Sequence, residues 1–260
     1  MKKQNNRPHE HFFLPHWIMF QDGYKKIERW KGYRDVNPNI PFQTNLDHQN
    51  GVDFLTQFVL PSIGSTSLRR RMTNTGVKNH EVGEIDNGDT LWHNKTKDKH
   101  TKELTSFDKM FTSMEFLSTR SLEILREAFL IQFISDEKVT FKGHPWAEKM
   151  LFELRKNHEE DGRVLNAIEL LDYVLFAMRA FNGCKDVVIL KHVYCNQVKK
   201  LDEYSRTIVG FDKWWTTDHS KTAHKFMRKY KDIPGPKGPN GENNIPNAYA
   251  YAIQKGYMSI

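Results

Sequence analysis

The stretch RVLNAIELLDYVLFAMRAF, residues 163 to 181, is apolar on almost every face of a helix, and a helix apolar all round has to run through the middle of whatever it folds into. Two acids interrupt it. Glu169 and Asp172 are three apart, so they emerge on one face. A carboxylate buried there is costly unless it meets a Lys, an Arg, or a divalent metal shared with histidine. The rest of the fold must bring such a partner to this helix.

Segments 24–33, 50–60, 102–115, 119–134, 144–158 and 186–204 also place apolar residues three and four apart, while β-alternation is nearly absent. This pattern predicts an all-α fold. At 260 residues the chain can bury a full core without staples. A polar, His-rich arm (1–20, with His9, His11 and His16) is expected to precede a helical domain (21–205). A C-terminal extension (206–260) follows, in which DIPGPKGPNGENNIPN (232–247) excludes a regular element. No internal repeat is visible.

Two cysteines, Cys184 and Cys195, and the absence of a signal peptide point to a reducing, cytoplasmic setting. The longest apolar runs fall short of the roughly 20 residues a membrane span needs. The formal net charge of +7 suits an anionic small substrate or a basic surface. A nucleic-acid partner is compatible but not favoured, because LRRRM (68–72) and KFMRKYK (225–231) lack the strand-patterned aromatic interleaving of a single-strand-binding surface. His219 and His224 are five apart, on different helix faces, and do not suggest a second site.

Two further stretches supply partners for the central acids. In NLDHQNGVDFL (45–55), His48 sits near an expected helix N-terminus, with Asp47 or Asn45 as the cap. In NHEVGEIDNGDT (79–90), His80 and Glu81 are adjacent and Glu84 lies one helical turn after His80. A hydrolytic metal site needs fixed N and O ligands, an open position for water, and an acid that handles that water. His48, His80, Glu81 and Glu169 can supply the ligands, and Glu84 the acid. Asp172 shares the face of Glu169 and is the alternative ligand.

The order of these elements resembles the HD-domain metal-dependent phosphohydrolases. IERWKGYRDVN (27–37) is similar to the Arg-Trp-x-x-x-Arg element of their 5'-deoxynucleotidase branch, and AIELLDYVLFA (167–177) to its Asp-x-x-Asp/Glu helix. The resemblance covers roughly residues 20–185. It implies an HD-type helical bundle with a central divalent metal (Mn, Co, Mg, Zn or Fe) held by His48, His80, Glu81 and Glu169.

The same resemblance gives Glu84 the attacking water, Arg29 the phosphate, Asp89 the sugar, and Trp30 a place beside the nucleoside. Arg34 or a Lys of HNKTKDK (93–99) would assist at the phosphate. The implied activity is hydrolysis of a (deoxy)nucleotide phosphoester, chiefly of a dNMP. Triphosphohydrolysis of a dNTP and a catalytically weakened nucleotide-binding protein are the alternatives. Homodimers are common among such nucleotidases, though no interface is legible here. Two departures stand out: the family's aspartates at the doublet and on the distal helix are Glu81 and Glu169 in this chain.

Overall fold

The computed structural model describes residues 13–34, 38–65, 67–88, 97–114, 117–184, 195–215, 219–223 and 225. The Pro/Gly-rich run after 231, Asp89, His9 and His11 lie outside them. Every regular element among the described residues is helical, as the periodicity predicts. No helix among them is long and apolar enough to cross a membrane.

The helices are α1 (Phe13–Lys26), α2 (Lys31–Arg34), α3 (Asn45–Ser62), α4 (Ser67–Asn79), α5 (Lys97–Thr112), α6 (Thr119–Leu130), α7 (Pro145–Cys184), α8 (Cys195–Thr207) and α9 (Phe211–Trp214). Short 3-10 turns follow α4 (Val82–Glu84) and α6 (Ile131–Phe133). The two helices expected at 144–158 and 163–181 are one element, α7, interrupted at His158 (φ −133°, ψ 26°). His158 Nδ1 lies 2.9 Å from Asp161 Oδ2 across that break.

Helix α7 packs against α3, α4, α6 and α8 and buries residues around most of its circumference, among them Leu165, Ile168, Leu171, Val174 and Ala177. Its central place follows from its composition. A run of rings forms the adjoining core: Phe107 stacks on Phe129 at 4.3 Å, Phe129 meets Phe133 edge-on, and Phe133 meets Phe141 the same way. Such edge-to-face and offset pairs suit the quadrupoles of the rings.

Three local expectations are corrected. Residues 24–33 are not one helix. Helix α1 ends at Lys26, Glu28 forms a β-bridge with Thr44, and Trp30 adopts φ 61° before α2 begins. The backbone pairs outward instead: Arg29 N–H donates to the Gln43 carbonyl (2.9 Å) and Asn45 N–H to that of Ile27 (3.0 Å). This pairing with a distant segment outweighs the local helical pattern.

Helix α3 is capped by Thr44, not by Asp47 or Asn45. The Thr44 hydroxyl accepts from Asp47 N–H, and the Asp47 side chain accepts from Thr44 N–H in return. Asn45 is thereby left to point inward. The third correction is that His80 to Glu84 is not a continuous α-turn, since α4 stops at Asn79 and a 3-10 turn carries Glu84.

The cap generates a prediction. Thr44→Ala removes one side of the reciprocal pair at the start of the helix that carries His48. It should cost about 1 kcal/mol, read as a lower urea midpoint with an unchanged slope.

Candidate metal centre

Four pieces of chain converge beside the middle of α7. The bridge segment brings Arg29, the first turn of α3 brings Asn45 and His48, the turn after α4 brings His80, Glu81 and Glu84, and α7 brings Glu169, Asp172 and Tyr173. His48 is fully buried, and His80, Glu81 and Glu84 are nearly so. Donor atoms of His48, His80 and Glu81 lie within 4.8 Å of one another.

The hydrogen bonds on the far side of each ring determine what faces the centre. His80 Nδ1 lies 2.7 Å from the Val77 carbonyl, which can only accept, so Nδ1 carries the proton. His48 Nδ1 lies 2.7 Å from Asp172 Oδ2 and donates to that carboxylate. In the neutral form of each ring this turns an Nε2 lone pair inward.

The two Nε2 atoms are 3.5 Å apart, and each is 3.3 Å from Glu81 Oε1. His80 Nε2 is also 3.4 Å from Glu169 Oε1. Acceptors gathered on one point repel unless a proton or a metal ion lies among them. Ligand atoms about 2.1 Å from a shared ion in tetrahedral or octahedral geometry are about 3.0–3.4 Å apart, which the observed edges match. The residues present fit a divalent metal.

Asp172 and Glu169 are thereby distinguished by position. Asp172 backs His48 from outside, the place of a carboxylate that orients a ligating imidazole. Glu169 Oε1 approaches His80 Nε2 (3.4 Å) and lies outside the close His48–His80–Glu81 group. Gly51, one turn after His48, makes the first arrangement feasible, because a Cβ there would lie 2.4 Å from Asp172 Oδ1. Gly83 similarly lets α5 approach the turn that carries Glu81 and Glu84, since its Cβ would meet the Glu103 carbonyl oxygen at 2.6 Å.

Arg29 Nη1 donates to Glu81 Oε1 (2.6 Å) and to Asn45 Oδ1 (3.2 Å), and Nη2 to Tyr173 OH (2.9 Å). Asn45 Nδ2 donates to Glu84 Oε2 (2.9 Å) and Glu81 Oε2 (3.3 Å). Tyr173 stacks on His48, 5.3 Å away and 9° from parallel. Burial alone would raise the Glu81 pKa, but Arg29 and the two histidines overcome it and hold the carboxyl well below its usual range.

Burial and the Arg29 charge both act to lower the His48 pKa, yet hydrogen bonds to Asp172 and Glu81 leave it raised. A proton is therefore the metal's competitor for Nε2. Burial, together with the charges of Glu81 and Glu84, pushes the Tyr24 phenol up. Its buried hydroxyl has no hydrogen-bond partner among the described residues.

Other expected site residues are placed differently. Trp30 is buried, donates from Nε1 to Gln43 Oε1 (2.7 Å), and stacks on Phe176 at 4.7 Å. Arg34 pairs with Glu28, donates to the Ile40 carbonyl and lies over Phe42, which steadies the bridge segment that carries Arg29. Lys99 donates to the carbonyls of Asn87 (3.2 Å) and Gly88 (2.7 Å), pinning the loop just before Asp89. The structure also brings in Asn45, Gly51 and Tyr173, none of which sequence reasoning assigned to the site. Only Tyr173 carried a signal, as a polar-tipped ring next to Asp172 on an apolar helix.

No protein-family model, curated protein or solved structure matches this chain.

Two outcomes are expected. Gly51→Ala would gain about 1 kcal/mol of helix propensity, but the collision with Asp172 should reverse the sign and destabilise by about 1–3 kcal/mol in chemical denaturation. Glu81, whose folded pKa is depressed, contributes stability that is present above the usual glutamate range and is lost as pH falls through its lower folded value. Glu81→Gln should therefore flatten the acid limb of a stability-versus-pH curve.

Proposed function

We propose that the protein is a metal-dependent phosphohydrolase of HD type acting on a (deoxy)nucleotide, most simply as a 5'-deoxynucleotidase on dNMP. The observation that carries this is the convergence of two Nε2 atoms on Glu81 Oε1, with both Nδ1 atoms against acceptors. The order His48, His80-Glu81, Glu84 and Glu169 supports the HD assignment through the sequence resemblance.

His48, His80 and Glu81 would hold the ion, with Glu169 as the fourth protein ligand. A divalent ion so held supplies Lewis-acid polarisation of a phosphoryl oxygen and lowers the pKa of a coordinated water. Glu84 takes the role of base. Asn45 donates to its Oε2, which holds the carboxylate in place to orient the attacking water and accept its proton. The Arg29 guanidinium, one hydrogen bond from Glu81, adds a fixed positive charge that favours an anionic substrate at a site rich in carboxylates. Asp89, just beyond the loop held by Lys99, takes the sugar in this proposal.

The test is phosphate and triphosphate release from a panel of deoxy- and ribonucleotides, using metal-stripped protein with Mn, Co, Mg, Zn or Fe restored. Metal-dependent turnover is expected, with Glu84→Ala lowering kcat by at least about 100-fold. Release of orthophosphate from dNMP marks a nucleotidase, and release of triphosphate from dNTP a triphosphohydrolase. Absence of turnover on every nucleotide, with metal bound, would refute the hydrolase assignment.

A further inference from the structure

Glu81 stands where the resembling family has an aspartate, and its longer side chain brings an additional rotatable bond to a position that must hold still. Both of its oxygens are held. Oε1 accepts from Arg29 Nη1 at 2.6 Å, and Oε2 lies 3.3 Å from the Asn45 Nδ2 donor. The holders are themselves fixed: Asn45 Oδ1 accepts from the same Nη1, and Tyr173 OH accepts from Nη2. Arg29, Asn45 and Glu81 are all buried, so water competes little for these bonds.

We propose that Arg29, Asn45 and Tyr173 form a clamp that immobilises Glu81 as a metal ligand, and that Arg29 acts on the centre through Glu81 as a positioning residue. The inference rests on the metal centre proposed above. A carboxylate oxygen has two lone pairs; Arg29 takes one on Oε1, and the other is directed toward the two Nε2 atoms. The guanidinium and the ion thus use opposite sides of one atom. Tyr173 ties a second ligand into the clamp, because its ring stacks on His48 while its hydroxyl holds Arg29. Three separate elements, the bridge segment, α3 and α7, therefore fix a ligand whose side chain is longer than the aspartate of the resembling family.

The test is titration of the metal-stripped full-length protein with Co(II), followed by visible absorption without substrate, alongside far-UV circular dichroism to confirm folding. Wild type should bind one Co(II). Arg29→Gln should bind it about 10- to 100-fold more weakly, the usual cost of losing a group that orients a ligand. Arg29→Lys should recover part of that loss. Tyr173→Phe, which keeps the ring and deletes only the hydroxyl, should weaken binding in the same direction by a smaller factor and perturb the cobalt spectrum.

Unchanged affinity in Arg29→Gln would overturn the clamp. So would tighter binding, which would make Arg29 only a cation competing with the metal. If Arg29→Gln does not fold, Tyr173→Phe decides by the same signs. Failure of wild type to bind Co(II) would overturn the metal centre and the clamp together. Because no nucleotide is present, failure of the hydrolase assignment alone does not alter this result.

Discussion

Four carboxylates, those of Glu81, Glu84, Glu169 and Asp172, meet at the middle of an all-helical fold, and compensating their charge is the constraint on which the arrangement depends. Arg29 neutralises one directly, His48 donates to another, and Asn45 spans two of them with one amide. Buried ions on this scale are tolerated only when each is paired and hydrogen-bonded. The bridge at Glu28, the cap at Thr44 and the glycine at position 51 deliver those partners from three directions. The surrounding core, a tightly packed set of rings and aliphatic side chains, supplies rigidity.

Much of this was legible in the sequence where signals were local. The apolar run around Glu169 and Asp172 announced a central helix carrying acids, and it is one. The histidines at 48 and 80 stood out because each had carboxylates in its own stretch. The order of Glu169 and Asp172 was not legible, since both share a face. The structure separates their contacts: Asp172 lies behind the His48 imidazole, while Glu169 approaches His80 Nε2.

Non-local pairing explains what sequence could not reveal. The helix expected at 24–33 gave way to a bridge whose partner lies sixteen residues on. Helix α4 was hidden because its buried positions among the described side chains, Thr73, Gly76, Val77 and Asn79, make no apolar stripe. Asn45 looked like a cap because asparagine commonly is one, and Thr44, one residue earlier, performs that task. The amide was then available to the interior, where its two ends match a guanidinium and a pair of carboxylates.

Trp30 combines two demands that conflict. Its φ of 61° belongs to a region where glycine is at ease and a bulky residue stores strain, whereas its ring is needed against Phe176 and its Nε1 against Gln43. Glycine would relax the backbone and lose the ring; phenylalanine would keep a ring, lose the indole donor and retain the strain. Position 30 is thus a mutational trap. Either exchange gives up a contact, to Phe176 or to Gln43, that holds the residue next to Arg29 in place.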